Sequence, residues 1–218
     1  KDSLENLAYK LASTSFQMNT HAIGDDANKA VLEAYNKALV FSDDPRWRIE
    51  HAQIIDTSDI KLFNRKIIPS VQPTHATSDM YWAEDRLGKK RLQGAYAYKL
   101  LLEKSGRIAL GTDFPVENVS PIKTFFSAVF REDSNLYPED GYLPNNKLSK
   151  LEALKGMTIW GAYSNFEERQ KGSIEVGKAA DFVILDRDLL DEPKKRILNA
   201  KIVATILDGN IVYSNRIN

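Results

Sequence analysis

The sequence contains no cysteine, no long apolar run and no excess of either charge. The absence of cysteine excludes disulfide bonds and thiolate metal sites, so His, Asp and Glu remain as ligands for a metal. No apolar run approaches the ~20 residues that span a bilayer. With 30 basic and 30 acidic residues the net charge is zero, which favours neither nucleic acid nor an anionic membrane as a partner.

Histidine is scarce as well, with three residues in a chain of 218. The apolar fraction of 43% is ordinary and supports the core of one domain, or of one and a half. The chain begins at Lys1 rather than at a methionine, and no signal peptide opens it. We therefore expect a processed chain or a piece of a longer protein, and the compartment stays open between cytoplasm and periplasm.

Short apolar segments alternate with amphipathic helical patterns over the first ~130 residues. Such alternation predicts parallel strands joined by right-handed crossovers. A (β/α) barrel needs eight such units in about 250 residues, so four units predict an α/β fold that is the C-terminal half of a TIM barrel. The predicted strands lie near 15–21, 46–51, 67–71 and 108–110. The predicted helices lie near 25–38, 60–63 and 89–104, with a fourth starting at 121.

Local signals refine this prediction. Pro69 in the third strand removes a backbone donor and indicates an edge or a bulge. Gly106 is placed to end the helix at 89–104, and the sequence from Ser149 to Glu152 has the spacing of a capping box. Segments 181–185 and 201–207 predict short strands, and the Asp-Gly-Asn turn at 208–210, which leads into 211–213, predicts a hairpin. We expect a partial barrel over 1–170 and a portion of a small β domain over 171–218.

His21, His51 and Asp113 each lie where an apolar or β-branched segment gives way to a turn. The carboxyl ends of parallel strands meet at one edge, so these side chains are predicted to converge. Neutral imidazole and carboxylate suit zinc and its first-row neighbours. A lone histidine is more often a locally bonded loop residue, and Asp is common in turns. However, His75 also follows a strand, and three of three histidines at strand exits favour a shared site.

Six segments carry a family resemblance. They are THAIGD at 20–25, IEHAQ at 49–53, SVQPTH at 70–75, WAEDRLG at 82–88, GTDFPV at 111–116 and KGSIEVGKAADFVIL at 171–185. In this order they resemble the C-terminal part of the amidohydrolase superfamily, in its YtcJ-like branch, which includes N-substituted formamide deformylases. The resemblance implies a barrel that holds one or two divalent metals.

The resemblance also implies residue roles. His21 matches the metal ligand after the fifth barrel strand, His51 the ligand after the sixth, and Asp113 the acid after the eighth, which activates the hydrolytic water. The family's His-x-His pair and its bridging Lys or Glu are not in this sequence. We therefore expect this chain alone to bind metal weakly and to be inactive. We also expect it to form a homo-oligomer or to pair with an N-terminal half.

Further residues are candidates for contact with substrate. His75 is predicted to orient substrate or to stabilise an oxyanion, with a backbone-bonded loop histidine as an equal alternative. Arg86 resembles a family residue that binds a carboxylate or carbonyl, although a surface ion pair is at least as frequent. Tyr81 and Trp82 are candidate walls of an apolar pocket, although a structural role is the commoner one for such aromatics.

The predicted function is metal-dependent hydrolysis of a non-peptide C–N bond in a small amide or formamide. The same residues are compatible with attack on an ester, with opening of a cyclic amide and with deamination of a ring. A non-catalytic half-barrel with a regulatory role is the alternative outside enzymes.

Overall fold

The computed structural model describes residues 2–215, and its centre is a four-stranded parallel sheet. The strands follow one another across the sheet in the order in which they occur in the chain, so each strand pairs with its sequence neighbour. This is the α/β arrangement that the alternating pattern predicted. The strands are β1 (Asn19–Ala22), β2 (Trp47–His51), β3 (Ile67–Val71) and β4 (Ala109–Leu110).

Helices connect the strands and cover one face of the sheet. Tyr35 of α2 is fully buried, and its hydroxyl donates to the Met18 carbonyl, with an O···O distance of 2.9 Å. Its ring packs edge-on against Trp47 of β2, with ring centroids 4.9 Å apart. No helix within residues 2–215 is long and apolar enough to cross a membrane. The helices are α1 (Asp2–Ala12), α2 (Asp25–Ala38), α3 (Pro73–Asp79), α4 (Ala83–Leu92), α5 (Tyr98–Ser105), α6 (Pro121–Phe130), α7 (Lys150–Met157), α8 (Ile159–Ser164) and α9 (Lys194–Ile197).

A second sheet is antiparallel and contains β5 (Phe182–Leu185), β6 (Ile202–Leu207) and β7 (Asn210–Ser214). The predicted hairpin turn is present, with Asp208 and Gly209 at positive φ. Lys194 joins this region to the parallel part through its ion pair with the buried Glu132, at 2.9 Å. The division of the chain at residue 170 into two domains stays a prediction.

The helix-end signals at Gly106 and at Ser149 are confirmed. Ser120 caps α6 by accepting from the Lys123 amide, and Ser149 forms a complete capping box with Glu152 at the start of α7. Gly106 adopts a left-handed φ of 74° after α5 and donates to the Leu102 carbonyl.

The prediction of one continuous helix over 89–104 is wrong. The chain leaves α4 after Leu92 and begins α5 at Tyr98, and the segment between them packs against the loop after β2. The Ile55 amide donates to the Gly94 carbonyl at 3.0 Å. A Cβ on Gly94 would lie 1.7 Å from the Ile55 carbonyl oxygen, so only glycine permits this approach.

The edge expected at Pro69 is also wrong, since β3 lies inside the sheet between β2 and β4. Pro69 is in register with Ile49 of β2, whereas β4 pairs only with Ser70 and Val71. The pairing with β4 thus begins after the proline, and the missing donor is tolerated on an inner strand.

Replacement of Gly94 should destabilise the protein. We expect Gly94→Ala to lower the free energy of unfolding by about 3 kcal/mol, because the new methyl group collides with backbone rather than with a movable side chain. Urea denaturation followed by circular dichroism measures this change. Gly161→Ala is the matched control, because its Cβ would make only an ordinary contact at 3.6 Å inside α8. Equal effects of the two substitutions would contradict the proposed close approach.

The outer strands of the parallel sheet generate a prediction about assembly. Within residues 2–215, β1 pairs only with β2 and β4 only with β3, which leaves backbone N–H and C=O groups at two sheet edges. We propose that the chain covers these edges by pairing with a second copy or with a separate N-terminal half. Light scattering coupled to size exclusion should give a mass above 24.6 kDa. A monomer of that mass that unfolds cooperatively would refute the proposal.

Candidate metal centre

Four side chains converge at the carboxyl edge of the parallel sheet. His21 lies in β1, His51 ends β2, His75 lies in the first turn of α3 directly after β3, and Asp113 follows β4. The ring centroids of His21 and His51 are 4.5 Å apart, and those of His51 and His75 are 5.7 Å apart. His75 Nε2 lies 3.5 Å from Asp113 Oδ2. The structure therefore brings together every histidine of the sequence and the predicted acid.

The most compact part of this group is formed by His51, His75 and Asp113. One ligand atom from each of these residues lies within 4.8 Å of the other two, which is close enough for a single cation to contact all three. His21 touches the group through the edge of the His51 ring. The sequence placed His75 among the catalytic residues rather than the ligands, so the geometry adds it to the candidate ligand set of His21, His51 and Asp113.

The backbone at the site is strained. His51, Ala52 and Asp113 have φ values of 73°, 43° and 59°, in the left-handed region that non-glycine residues seldom adopt. Each such conformation costs on the order of 1–3 kcal/mol and persists only where the surroundings enforce it. Strain at three positions of one polar cluster is a further sign of a functional site.

Two glutamine side chains contact the Nδ1 atoms of His51 and His75. His51 Nδ1 is 2.8 Å from Gln72 Oε1, and His75 Nδ1 is 3.3 Å from Gln53 Oε1. Sequence reasoning assigned no role to either glutamine. Their position in the sequence could have pointed to them, because both lie inside the segments at 49–53 and 70–75 that carry the family resemblance, directly after β2 and β3.

Asp79 and Tyr96 form a second polar layer that sequence reasoning also missed. Asp79 Oδ2 accepts from Gln53 Nε2 at 3.0 Å and from the Tyr96 hydroxyl at 2.8 Å. Burial raises the pKa of Asp79 above its ordinary value, against the effect of these hydrogen bonds. Neither residue follows a strand directly, so no spacing in the sequence points to them.

His75 is the most buried ligand candidate, with 8% of its surface exposed. Burial lowers the pKa of His75 below 6.5, although Glu117, Asp79 and Asp113 act in the opposite direction. Its Nε2 atom is buried and has no hydrogen-bond partner among the described residues. A neutral imidazole nitrogen that faces a carboxylate without a partner is well suited to a divalent cation.

The three candidate substrate contacts lie outside this cluster. Tyr81 is exposed, donates to Asp133 Oδ2 at 2.6 Å and stacks on Tyr137 with centroids 5.9 Å apart. Trp82 directly precedes α4 and is about half exposed, and Arg86 is exposed on α4. Their role in substrate binding stays a prediction.

The sequence matches the amidohydrolase family over residues 1–213. It is 32% identical over 216 residues to Protein LONG AFTER FAR-RED 3 of Arabidopsis thaliana, and 34% identical over 215 residues to YtcJ of Bacillus subtilis, which is named an amidohydrolase. Each of these matches covers 97% of this chain.

This chain belongs to the amidohydrolase family.

A third relative of the amidohydrolase chain is the N-substituted formamide deformylase of Arthrobacter pascens, which is 27% identical over 220 residues, or 98% of this chain. A 5-methylthioadenosine/S-adenosylhomocysteine deaminase from Caldanaerobacter subterraneus is 28% identical over 136 residues, covering 58% of this chain and 30% of its own. The three longer matches take in 36%, 40% and 39% of the relatives' lengths. The amidohydrolase chain therefore spans well under half the length of these curated relatives.

Solved structures agree with the predicted partial barrel. A metal-dependent hydrolase from Pyrococcus furiosus superposes with a TM-score of 0.72 at 29% identity, over 87% of this chain and 37% of that one. An adenosine deaminase from Xanthomonas campestris shares the fold with a TM-score of 0.67 at 18% identity, over 98% and 49% of the two chains. The amidohydrolase chain is thus part of a (β/α) barrel followed by a separate antiparallel sheet, as predicted.

The lowered pKa of His75 predicts a pH dependence of stability in metal-free protein. The unfolded chain binds a proton near pH 6.5 and the folded chain only at lower pH, so the free energy of unfolding falls as pH decreases below about 6.5. His75→Asn should remove up to ~1.4 kcal/mol per pH unit of this slope. Urea titrations between about pH 5 and 7 with a chelator measure it. Identical slopes in the two proteins would show that His75 titrates alike in both states.

Proposed function

We propose that the protein carrying this chain is a metal-dependent hydrolase that cleaves a non-peptide C–N bond in a small amide or formamide. Membership of the amidohydrolase family supports hydrolysis as the class of reaction. The observation that carries the proposal is the compact group of His51, His75 and Asp113, with the partnerless Nε2 of His75 inside it.

The donor set suits a first-row divalent cation, and zinc is the ion that we propose. His21, His51 and His75 supply imidazole nitrogens, and Asp113 supplies a carboxylate oxygen. With no cysteine in the chain, nitrogen and oxygen are the available donors. When bound, the ion lowers the pKa of a water toward about 7 and polarises the substrate carbonyl.

Asp113 is the residue that we assign to proton transfer. About a third of its side-chain surface is exposed, so the carboxylate is accessible from the open side of the cluster while it remains 3.5 Å from His75. Its carboxylate would accept the proton of the attacking water and return it to the departing amine nitrogen. An amine must gain such a proton in order to leave. His75 is less suited to deliver it, because it is buried and therefore less accessible to a substrate.

The substrate class rests on two matches of different quality. The formamide deformylase covers nearly the whole chain and supports an N-substituted amide or formamide. The shorter match to a deaminase favours a second candidate, in which the same residues hydrolyse a C–N bond of a ring. A non-catalytic half-barrel remains the alternative outside enzymes, and the metal content of the intact protein separates it from both.

The proposal predicts that zinc and activity are lost together. We expect stoichiometric zinc in the dialysed intact protein, and hydrolysis of N-substituted formamides that a chelator abolishes and added zinc restores. Asp113→Asn should lower kcat by about 10²- to 10⁴-fold. Metal analysis by mass spectrometry and amine release measure these outcomes.

Asp43→Asn is the matched control, because it makes the same chemical change at an exposed loop position before β2. Full activity of Asp113→Asn would remove Asp113 from the mechanism. An intact protein with neither zinc nor turnover would support the non-catalytic alternative.

A further inference from the structure

The orientation of the Gln53 amide is determined by its neighbours. Gln53 is buried, and its Nε2 atom lies 3.0 Å from Asp79 Oδ2, which also accepts from the Tyr96 hydroxyl at 2.8 Å. A carboxylate oxygen only accepts hydrogen bonds, so the NH₂ group of the amide must face Asp79. The carbonyl oxygen of Gln53 is therefore the atom that faces His75.

This orientation has a consequence for the histidine. Gln53 Oε1 is also only an acceptor, and it lies 3.3 Å from His75 Nδ1. The contact is a hydrogen bond only if Nδ1 carries the proton. A neutral imidazole has one ring proton, so Nε2 of His75 is then a bare lone pair.

The surroundings of Nε2 agree with this assignment. Nε2 is buried without a hydrogen-bond partner among the described residues, and Asp113 Oδ2 lies 3.5 Å from it. Two acceptors that face each other at this distance repel, and a cation between them would convert the repulsion into two favourable contacts. An isolated imidazole in water prefers its proton on Nε2, so the opposite tautomer here must be imposed by the protein.

The neighbouring histidine also faces a glutamine oxygen. His51 Nδ1 lies 2.8 Å from Gln72 Oε1. The Tyr98 hydroxyl donates to the backbone carbonyl of Gln72 at 3.0 Å, which holds the backbone at this position without orienting the Gln72 amide. Both histidines of the compact group thus have a glutamine oxygen at Nδ1, but only for His75 does a further contact of the glutamine fix which amide atom faces the ring.

We propose that Gln53 is a positioning residue that holds His75 in the Nδ1–H tautomer, so that Nε2 is the atom offered to a metal, and that Asp79 and Tyr96 fix Gln53 for this task. In this tautomer Nε2 has no proton to donate, so His75 acts as a ligand rather than as the oxyanion donor that the sequence suggested. The use of Nε2 for a metal rests on the proposed function, whereas the tautomer does not depend on any metal.

The tautomer is measured directly by nitrogen NMR of the metal-free intact protein with ¹⁵N-labelled histidine, at a pH where the rings are neutral. Signals of His75 are assigned by their loss in His75→Asn. We expect a protonated, pyrrole-type Nδ1 and an unprotonated, pyridine-type Nε2. In Gln53→Met, which keeps the size of the side chain but removes the acceptor, the proton should move to Nε2. Gln93→Met makes the same change at an exposed position and should leave the signals unchanged.

A double variant tests the chain of contacts. Gln53→Glu alone places two carboxylates, at positions 53 and 79, against each other. Adding Asp79→Asn removes this repulsion: the new carboxylate at position 53 presents an acceptor to His75, and the new amide at position 79 donates to that carboxylate. We expect the double variant to recover the wild-type tautomer, which keeps the proposal testable if Gln53→Met fails to fold. An Nε2–H tautomer in the wild type, or no change in Gln53→Met, would overturn the proposal.

Zinc titration separates this inference from the proposed function. Loss of the Gln53 contact should weaken zinc binding by about 10- to 100-fold, with Gln93→Met again as the control. A wild type that shows the expected tautomer but binds no zinc would refute the metal-dependent function and leave the positioning role intact. Equal zinc affinity in Gln53→Met and wild type would refute the role of Gln53 toward the metal.

Discussion

Parallel pairing of the four strands is the constraint on which the candidate site depends. Because every strand runs in the same direction, four carboxyl ends meet at one edge, and residues far apart in the chain become neighbours. Pairing alone does not complete the site, however. Alternation would place His51 on the face of Trp47 and Ile49, which is buried. The left-handed backbone at His51 and Ala52 ends the regular strand there, and the His51 ring comes to lie 4.5 Å from His21.

A buried arginine connects this edge to the helices behind it. Arg131 is fully buried at the end of α6, and its Nη1 donates to the Tyr96 carbonyl at 3.2 Å. Its guanidinium lies 4.9 Å from the centroid of the Tyr98 ring. The Tyr96 hydroxyl donates to Asp79, and the Tyr98 hydroxyl donates to the backbone carbonyl of Gln72. A buried charge is costly unless it is well bonded, and here its contacts support both tyrosines that hold the polar layer behind the histidines.

The sequence was sufficient for features whose physical cause is local or periodic. The capping box at Ser149 is specified by residues three positions apart, and the order of the strands follows from the alternation of short apolar segments with helices. The convergence of the histidines followed from one topological rule, the common edge of parallel strands. By contrast, the break at Gly94 arises from contact with Ile55, which is distant in sequence, and no local pattern encodes it.

The two glutamines beside the histidines were missed for a related reason. Gln53 and Gln72 stand next to strand ends, but glutamine there is equally compatible with a solvent-exposed loop. The role proposed for Gln53 becomes visible only when Asp79 and Tyr96 are known to contact its amide from the other side. Hydrogen-bond direction is a property of a network rather than of a residue, so a single sequence reveals ligands more readily than the groups that orient them.

The same edge explains how relatives with different reactions share this fold. Under the proposed function, the residues that follow the strands would hold the metal and the acid whichever C–N bond is cleaved. We propose that selection of the bond then comes from the rim, where Tyr81, Trp82 and Phe114 are exposed on segments that follow β3 and β4. Tyr81 and Trp82 lie between α3 and α4, outside the sheet ladder, so under this proposal substitutions there change the rim without altering the segments that carry His51 and Asp113. The proposal thereby separates the candidate ligand geometry from the choice of substrate.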